Sequence, residues 1–169
     1  CGFWYNRDMF EHKGIPANRD DFPKSWDELR RLSKEFTVWK GDTLEVAGFI
    51  PWHAVEDLAT WSASNGSQLY DAANRKYTID SEANVAMMEY AVDWLNQEYK
   101  GDFAKVSRSG NWEGYEIEGR QPAFIDQRQA MFLIYWWNMG LPIFTQSAST
   151  WNIARLPVGP GGTRSVAGY

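Results

Sequence analysis

One cysteine and two histidines are all that this chain of 169 residues offers in thiol and imidazole chemistry. Cys1 alone cannot close an internal disulfide, and neither a thiolate zinc site nor a CxxC redox pair can be built from it. No HExxH pattern is present, so no metal site and no other cofactor is implied. Positive charge is scarce as well: 17 Lys and Arg against 22 Asp and Glu give a net charge of -5. Without a Lys/Arg-rich tract to neutralise phosphates, a nucleic-acid partner is not expected. No apolar run approaches the roughly 20 residues a membrane-spanning helix needs, and no signal-peptide pattern is seen. The first residues read at once as a strand, with no initiator Met, as in a piece excised from something longer.

What the chain has in excess is aromatic rings: ten Trp, eight Tyr and nine Phe, 16% of all residues. Rings at this density either fill a core or pave a binding surface. The length suits one domain with a full core, or one lobe of a larger protein.

The elements read in order. "GFWY" (2–5) is a short apolar strand, and "NRDMFEHKG" a helical turn stopping at Gly14. Ser25 and Glu28 have capping-box spacing, and Trp26, Leu29, Leu32 and Phe36 follow with helical periodicity, which predicts a helix over 26–36. "TLEVAGFI" (43–50) is a strand ended by Pro51, and 54–64 a helix closed by Asn65-Gly66, with Trp61 on its core side. "QLYDAANRKYTID" forms two short strands about a polar turn. Ser81 caps a long helix whose apolar stripe, Val85, Met88, Val92, Leu95 and Tyr99, is expected in the core. Residues 101–119 lack regularity, the mark of a functional or mobile loop. Pro122 opens a short helix "AFIDQRQ", followed by the strand "AMFLIYWW", the strand "WNIARLPV" and the turn "GPGGTRS". This alternation, mixed with hairpin-like pieces, predicts an α/β or α+β lobe. In the strand ending at Trp136 and Trp137, successive side chains face opposite ways, so the two rings cannot enter one core.

Five phrases in order resemble the sugar-binding family of extracellular solute-binding proteins of ABC transporters: "WYNRDMFEHKGI", "FPKSWDELRRLSKEFT", "YTIDSEANVAMMEYAVDWL", "AFIDQRQAMFLIYWW" and "ARLPVGPGGTRSVAGY". They span nearly the whole chain. Two positions depart from the family pattern: Gln127 stands where glycine usually precedes the alanine-methionine pair, and Tyr135 where glycine often precedes the strand-end tryptophan. The resemblance implies one α/β lobe, residues 1–169, of a two-lobe, type II periplasmic-binding-protein-like fold, with a mixed sheet flanked by helices and with the N-terminal lobe and the final helices absent. It implies a non-enzymatic receptor that holds a mono- or oligosaccharide in an interlobe cleft. Its partners would be the missing lobe and ABC permease subunits, and its location extracellular or periplasmic, associated with the membrane through the parent protein. A lipidated Cys1 is the lipoprotein alternative, although no flexible linker follows it.

A pyranose offers an apolar face and polar edges, so its site wants a flat ring and hydrogen-bonding groups at the rim. By the resemblance Trp137 is the stacking ring, with Trp136 its competitor through strand parity. Trp52 and His53, at a strand-to-helix corner, are further ligand candidates. Trp112 is a candidate lid contact in the irregular loop, and Gly161 and Gly162 could offer backbone amides to a sugar hydroxyl. In a separated lobe, cleft-facing rings should be exposed. Two alternatives stand beside this reading: a glycoside hydrolase fragment using Glu113, Glu116 or Glu118 as paired acids about 5–9.5 Å apart, and a stand-alone carbohydrate-binding module.

Overall fold

A capping box starts the first long helix and a change of strand partner sets the rest of the lobe around it. The computed structural model describes residues 2–52, 57–134, 138 and 140–163. Strand β1 (Gly2–Asn6) leads into helix α1 (Arg7–His12), a 3-10 turn (Arg19–Asp21) and helix α2 (Trp26–Phe36). In α2, Ser25 accepts from the Glu28 amide while Glu28 accepts from the Ser25 amide, so both free donors are met. Strands β2 (Val38–Lys40) and β3 (Thr43–Val46) form a hairpin. Helix α3 (Leu58–Ser64), the short hairpin of β4 (Tyr70–Asp71) and β5 (Lys76–Tyr77), helix α4 (Glu82–Glu98) and helix α5 (Phe103–Ser109) follow. Strand β6 (Met131–Ile134), helix α6 (Pro142–Thr145) and strand β7 (Trp151–Ala154) are the last elements among the described residues.

The central sheet has the order β6-β1-β7, antiparallel throughout, with Gly2 opposite Ile134 and Phe3 opposite Ala154. The expected strand 43–50 is only half a hairpin strand. After Val46 the chain leaves β2 and runs parallel to the approach and start of β6: Ala47 N–H donates to Arg128 O at 2.8 Å, and Met131 N–H to Gly48 O at 2.9 Å. This parallel neighbour makes the sheet mixed. Alternation along the strands sends Phe3, Tyr5, Met131 and Leu133 into the main core and Phe132 into a second, smaller core with Phe124, Ile125 and Phe144.

The segment 47–50 is wholly buried, so every backbone polar group on it needs a partner. One edge has β6. On the other, Ser33 Oγ accepts from Phe49 N–H at 2.8 Å and donates to Phe49 O at 3.2 Å, Thr37 Oγ1 accepts from Gly48 N–H at 3.2 Å, and Tyr99 O–H donates to Phe49 O at 2.9 Å. Gly48 permits the approach, because a Cβ there would overlap the Ser33 backbone. The Phe49 ring then touches Phe3, Trp61 and Trp94, with centroids 4.8, 5.9 and 5.7 Å away.

Three expectations are corrected. On α4 the buried stripe is Asn84, Met87, Ala91 and Trp94, so Val85 and Val92 stand 45% and 48% exposed, whereas Tyr99 is buried and Leu95 and Met88 pack at the margin. The helix turns its widest ring, Trp94, inward, and Asn84 tolerates burial by donating to Gln68 O and Thr78 O. Residues 103–109, read as irregular, are helical because Asp102 accepts from the Lys105 amide as an N-cap. The "AFIDQRQ" segment is a series of turns, closed by Arg128 N–H on Ala123 O with Gln127 at φ 56°. The glutamine that replaces the family glycine thus holds the left-handed conformation a glycine adopts at less cost.

Two outcomes follow from these contacts. Ser33→Ala should cost about 1–3 kcal/mol in urea unfolding, because it strips a partner from buried backbone groups, while Gly48→Ala should cost more than Ser33→Ala. Asp8 accepts from the Thr150 hydroxyl and amide, at 2.6 and 2.9 Å, and these bonds hold its carboxyl below its ordinary range. A depressed carboxyl stabilises the fold fully above its unfolded value of about 3.9, and that contribution is lost as pH falls through the folded value. The urea midpoint of Asp8→Asn should therefore fall less between pH 5 and pH 2.5 than that of the parent.

Candidate functional site

The segment 47–52 and β6 run the same way, so both deliver their chain to one end of the sheet. Strand β1 begins and β7 ends there too, with Gly2 opposite Ile134 and Ala154 opposite Phe3. In open α/β sheets, ligands sit beyond the carboxyl ends of parallel strands, where loops diverge. Three of the expected ligand residues belong to this end or its loops by sequence, His53, Trp136 and Trp137, and all three lie outside the described residues.

Trp52 is described, and it is 5% exposed. Phe103, the first residue of α5, lies across it with ring centroids 4.7 Å apart at 57° and is itself 60% exposed. The ring this corner shows to solvent is therefore Phe103, and Trp52 is its support. The sequence signal for Phe103 is the Gly101-Asp102 pair before it: the structure gives Gly101 a positive φ of 59° and makes Asp102 the N-cap, so the aromatic stands at a fixed helix start.

Trp112 is buried at 1% and does not project as a lid. Its indole N–H donates to Val106 O at 2.7 Å, and the Arg128 guanidinium lies 5.4 Å from its ring centre. Arg128 in turn donates to Leu44 O, Glu45 O and Ser109 O, which ties the Trp112 loop to β3 and α5. The loop beyond Trp112 is closed by Asn111, whose Nδ2 donates to Tyr115 O and Arg120 O, both at 2.8 Å. Asn138 Nδ2 donates to Gly114 O at 3.0 Å and joins this loop to the chain just past β6.

Gly161 and Gly162 have their amides committed inside the lobe, to Asn65 Oδ1 and Gly159 O respectively, each at 2.9 Å. A Cβ on Gly162 would overlap the Ser64 carbonyl. These glycines allow the chain to lie on the end of α3, a packing role in place of the expected hydrogen bonds to sugar. Glu116 and Glu118 are exposed, with Glu118 3.8 Å from Arg120, and no group of three or more His, Cys, Asp or Glu among the described residues could hold a metal. A groove of about 740 Å³ lies at the end of β7, lined by Arg19, Lys24, Ile153 and Arg155, and Trp52 is not among its lining residues.

The fold is one lobe of the type II periplasmic-binding-protein-like architecture, a mixed sheet covered by helices. The profile of the bacterial extracellular solute-binding proteins matches residues 2–169, and the chain belongs to that family. Among solved structures, a protein titled CpMnBP1 with mannobiose bound has a TM-score of 0.72 at 19% identity, over 96% of this chain and 40% of its own. The maltose/maltodextrin-binding domain MalE of Bdellovibrio bacteriovorus bound to maltotriose gives 0.68 at 17% identity, over 97% of this chain and 38% of its own. A solute-binding protein of Thermotoga lettingae with α-D-tagatose gives 0.64 at 22%, over 93% and 38%. The chain therefore spans about 40% of the length of these solved relatives. No curated protein matches it.

The stacked pair at the corner predicts unequal costs. Removing the outer ring, Phe103→Ala, should cost about 0.5–1.5 kcal/mol of stability, whereas Trp52→Ala, which empties the buried layer, should cost about 3–5 kcal/mol. Urea titrations of the two variants check this, and equal costs would contradict the assignment of Trp52 as support.

Proposed function

We propose that this lobe forms half of a carbohydrate-binding cleft in an ABC-importer solute receptor, closing on sugar against a second lobe. The observation that carries the proposal is the convergence at one sheet end of the 50–52 corner, the end of β6 and the Asn138-tethered loop, in a chain whose family profile runs from 2 to 169. Mannobiose, maltotriose and tagatose in solved neighbours of the same fold support a saccharide as ligand. In this reading Trp137 stacks on a pyranose face, Trp136 packs on the opposite side of the strand, and His53 stands at the rim. Trp52 and Trp112 act from beneath, by fixing the surfaces that meet the ligand. The sugar-loaded receptor would dock on permease subunits in the cell envelope, held at the membrane through its parent protein. No step of this work breaks a covalent bond, and the exposed Glu116 and Glu118 are solvated charges rather than a catalytic pair.

The test is calorimetric titration of the full-length protein with mono-, di- and trisaccharides. Saturable binding of at least one saccharide without hydrolysis is expected, and Trp137→Ala should weaken it about tenfold or more with unchanged secondary structure. Hydrolysis of any sugar in the panel would transfer the protein to the glycosidase class.

A further inference from the structure

Helix α4 carries an apolar row outside its buried stripe. Val85, Met88 and Val92 stand at i, i+3 and i+7, the spacing of one helix face, and with Ile79, itself 54% exposed, they line a groove of about 420 Å³. The charge about this row has one sign. No Lys or Arg occurs between Lys76 and Lys100, whereas Asp80, Glu82, Glu89, Asp93 and Glu98 do. Arg30 answers Asp93 and Glu98, but among the described residues Asp80, Glu82 and Glu89 have no salt bridge.

The groove at the end of β7 has the opposite character. Phe22, Pro23, Leu156 and Val158 make it apolar, and exposed Arg19, Lys24 and Arg155 bring three cations against the single carboxylate of Asp20. Among the described residues none of the three cations is in a salt bridge. The backbone of Ile153 in this groove is already engaged by side chains: Arg19 Nε donates to Ile153 O at 3.0 Å, and Asn152 Oδ1 accepts from Ile153 N–H at 2.9 Å. A further strand cannot pair at Ile153 without displacing both, so the groove suits the side chains of a helix rather than an added strand.

We infer that α4 of one copy docks in the β7 groove of a second copy, with Val85, Met88 and Val92 on the apolar lining and the carboxylates of α4 against the cations. Two α4 faces laid on each other would instead set acid against acid, which opposes a like-faced dimer. The contact is therefore head-to-tail. Each copy uses a different surface toward each neighbour, so association continues past the dimer unless the rotation closes a ring.

The experiment is sedimentation velocity on the full-length protein, from low micromolar to near-millimolar concentration. The mass of the parent should rise with concentration, and the rise should shrink as added salt screens the charges. A groove variant, Lys24→Glu with Arg155→Glu, and a helix variant, Val85→Asp with Val92→Asp, should each need at least about tenfold more protein to associate. Both should fold, since all four side chains are exposed and, among the described residues, the two cations make no side-chain hydrogen bond or salt bridge. In an equimolar mixture the groove variant still offers its α4 and the helix variant its groove, so the mixture should form a dimer and stop there. A parent that stays monomeric, or a mixture that does, overturns the inference. Loss in only one variant overturns it as well: loss in the helix variant alone assigns the contact to two α4 faces, and loss in the groove variant alone assigns the groove to another occupant.

Discussion

A buried segment with a strand along only one edge has to find its remaining hydrogen bonds elsewhere, and here Ser33 supplies two of them. The two bonds it makes to the Phe49 backbone, joined by Thr37 and Tyr99, replace half a β-ladder with three side chains from two helices. Burial pushes the Tyr99 hydroxyl well above its ordinary titration range, so it remains a donor at all ordinary pH. Because the same residue, Phe49, carries the ring on which Phe3, Trp61 and Trp94 converge, backbone satisfaction and core packing are fixed at one point. Ridges of α2, α4 and the sheet cannot shift independently around it.

That clamp also determines where the candidate site is. The chain has only Ile50 and Pro51 between Phe49 and Trp52, so holding the Phe49 backbone fixes the level at which Trp52 emerges and Phe103 covers it. Arg128 does the equivalent work on the neighbouring strand. It reaches three carbonyls from β3 and α5 just before β6 begins and lays its cation on Trp112. A second helix tie, Arg30 to Glu98 at 3.0 Å and Asp93 at 2.9 Å with Tyr90 and Trp94 beneath it, locks α2 to α4.

Much of this was legible, and the failures have physical causes. The helix 26–36 could be read to the residue because its start is encoded in two side chains, Ser25 and Glu28, that need only local geometry. The family and fold class were legible from phrases that record many local choices at once. The α4 face was misread because apolar identity is a poor proxy for burial when the helix has apolar residues on more than one side. A satisfied asparagine and a small alanine share the buried stripe, and two valines do not. The break of 43–50 into a hairpin strand and a parallel segment was invisible, since the stretch reads as one β-prone run and only tertiary pairing separates its halves. Trp112 was misjudged by its loop composition: polar, glycine-rich surroundings told of the backbone, and nothing told of the Arg128 lid.

The aromatic surplus resolves in the same way. Frequency alone cannot distinguish a paved surface from a filled core, because a ring gains free energy from burial in either. In the described lobe many rings are packed inside against one another: Trp26 on Trp61 at 5.0 Å, Phe49 on Trp94, Phe10 on Phe36 at 5.0 Å. The rings left well exposed, Tyr70, Tyr77, Phe103 and Tyr115, sit on a hairpin, at a helix start or in a loop, where the core is out of reach. Tyr70 and Tyr77 cover one another, with centroids 5.2 Å apart, and Phe103 rests on Trp52. Among the described residues Tyr115 alone of the four lacks a ring partner, and its loop is held by the Asn111 side chain. Position along the chain, rather than abundance, decides which rings the core takes here.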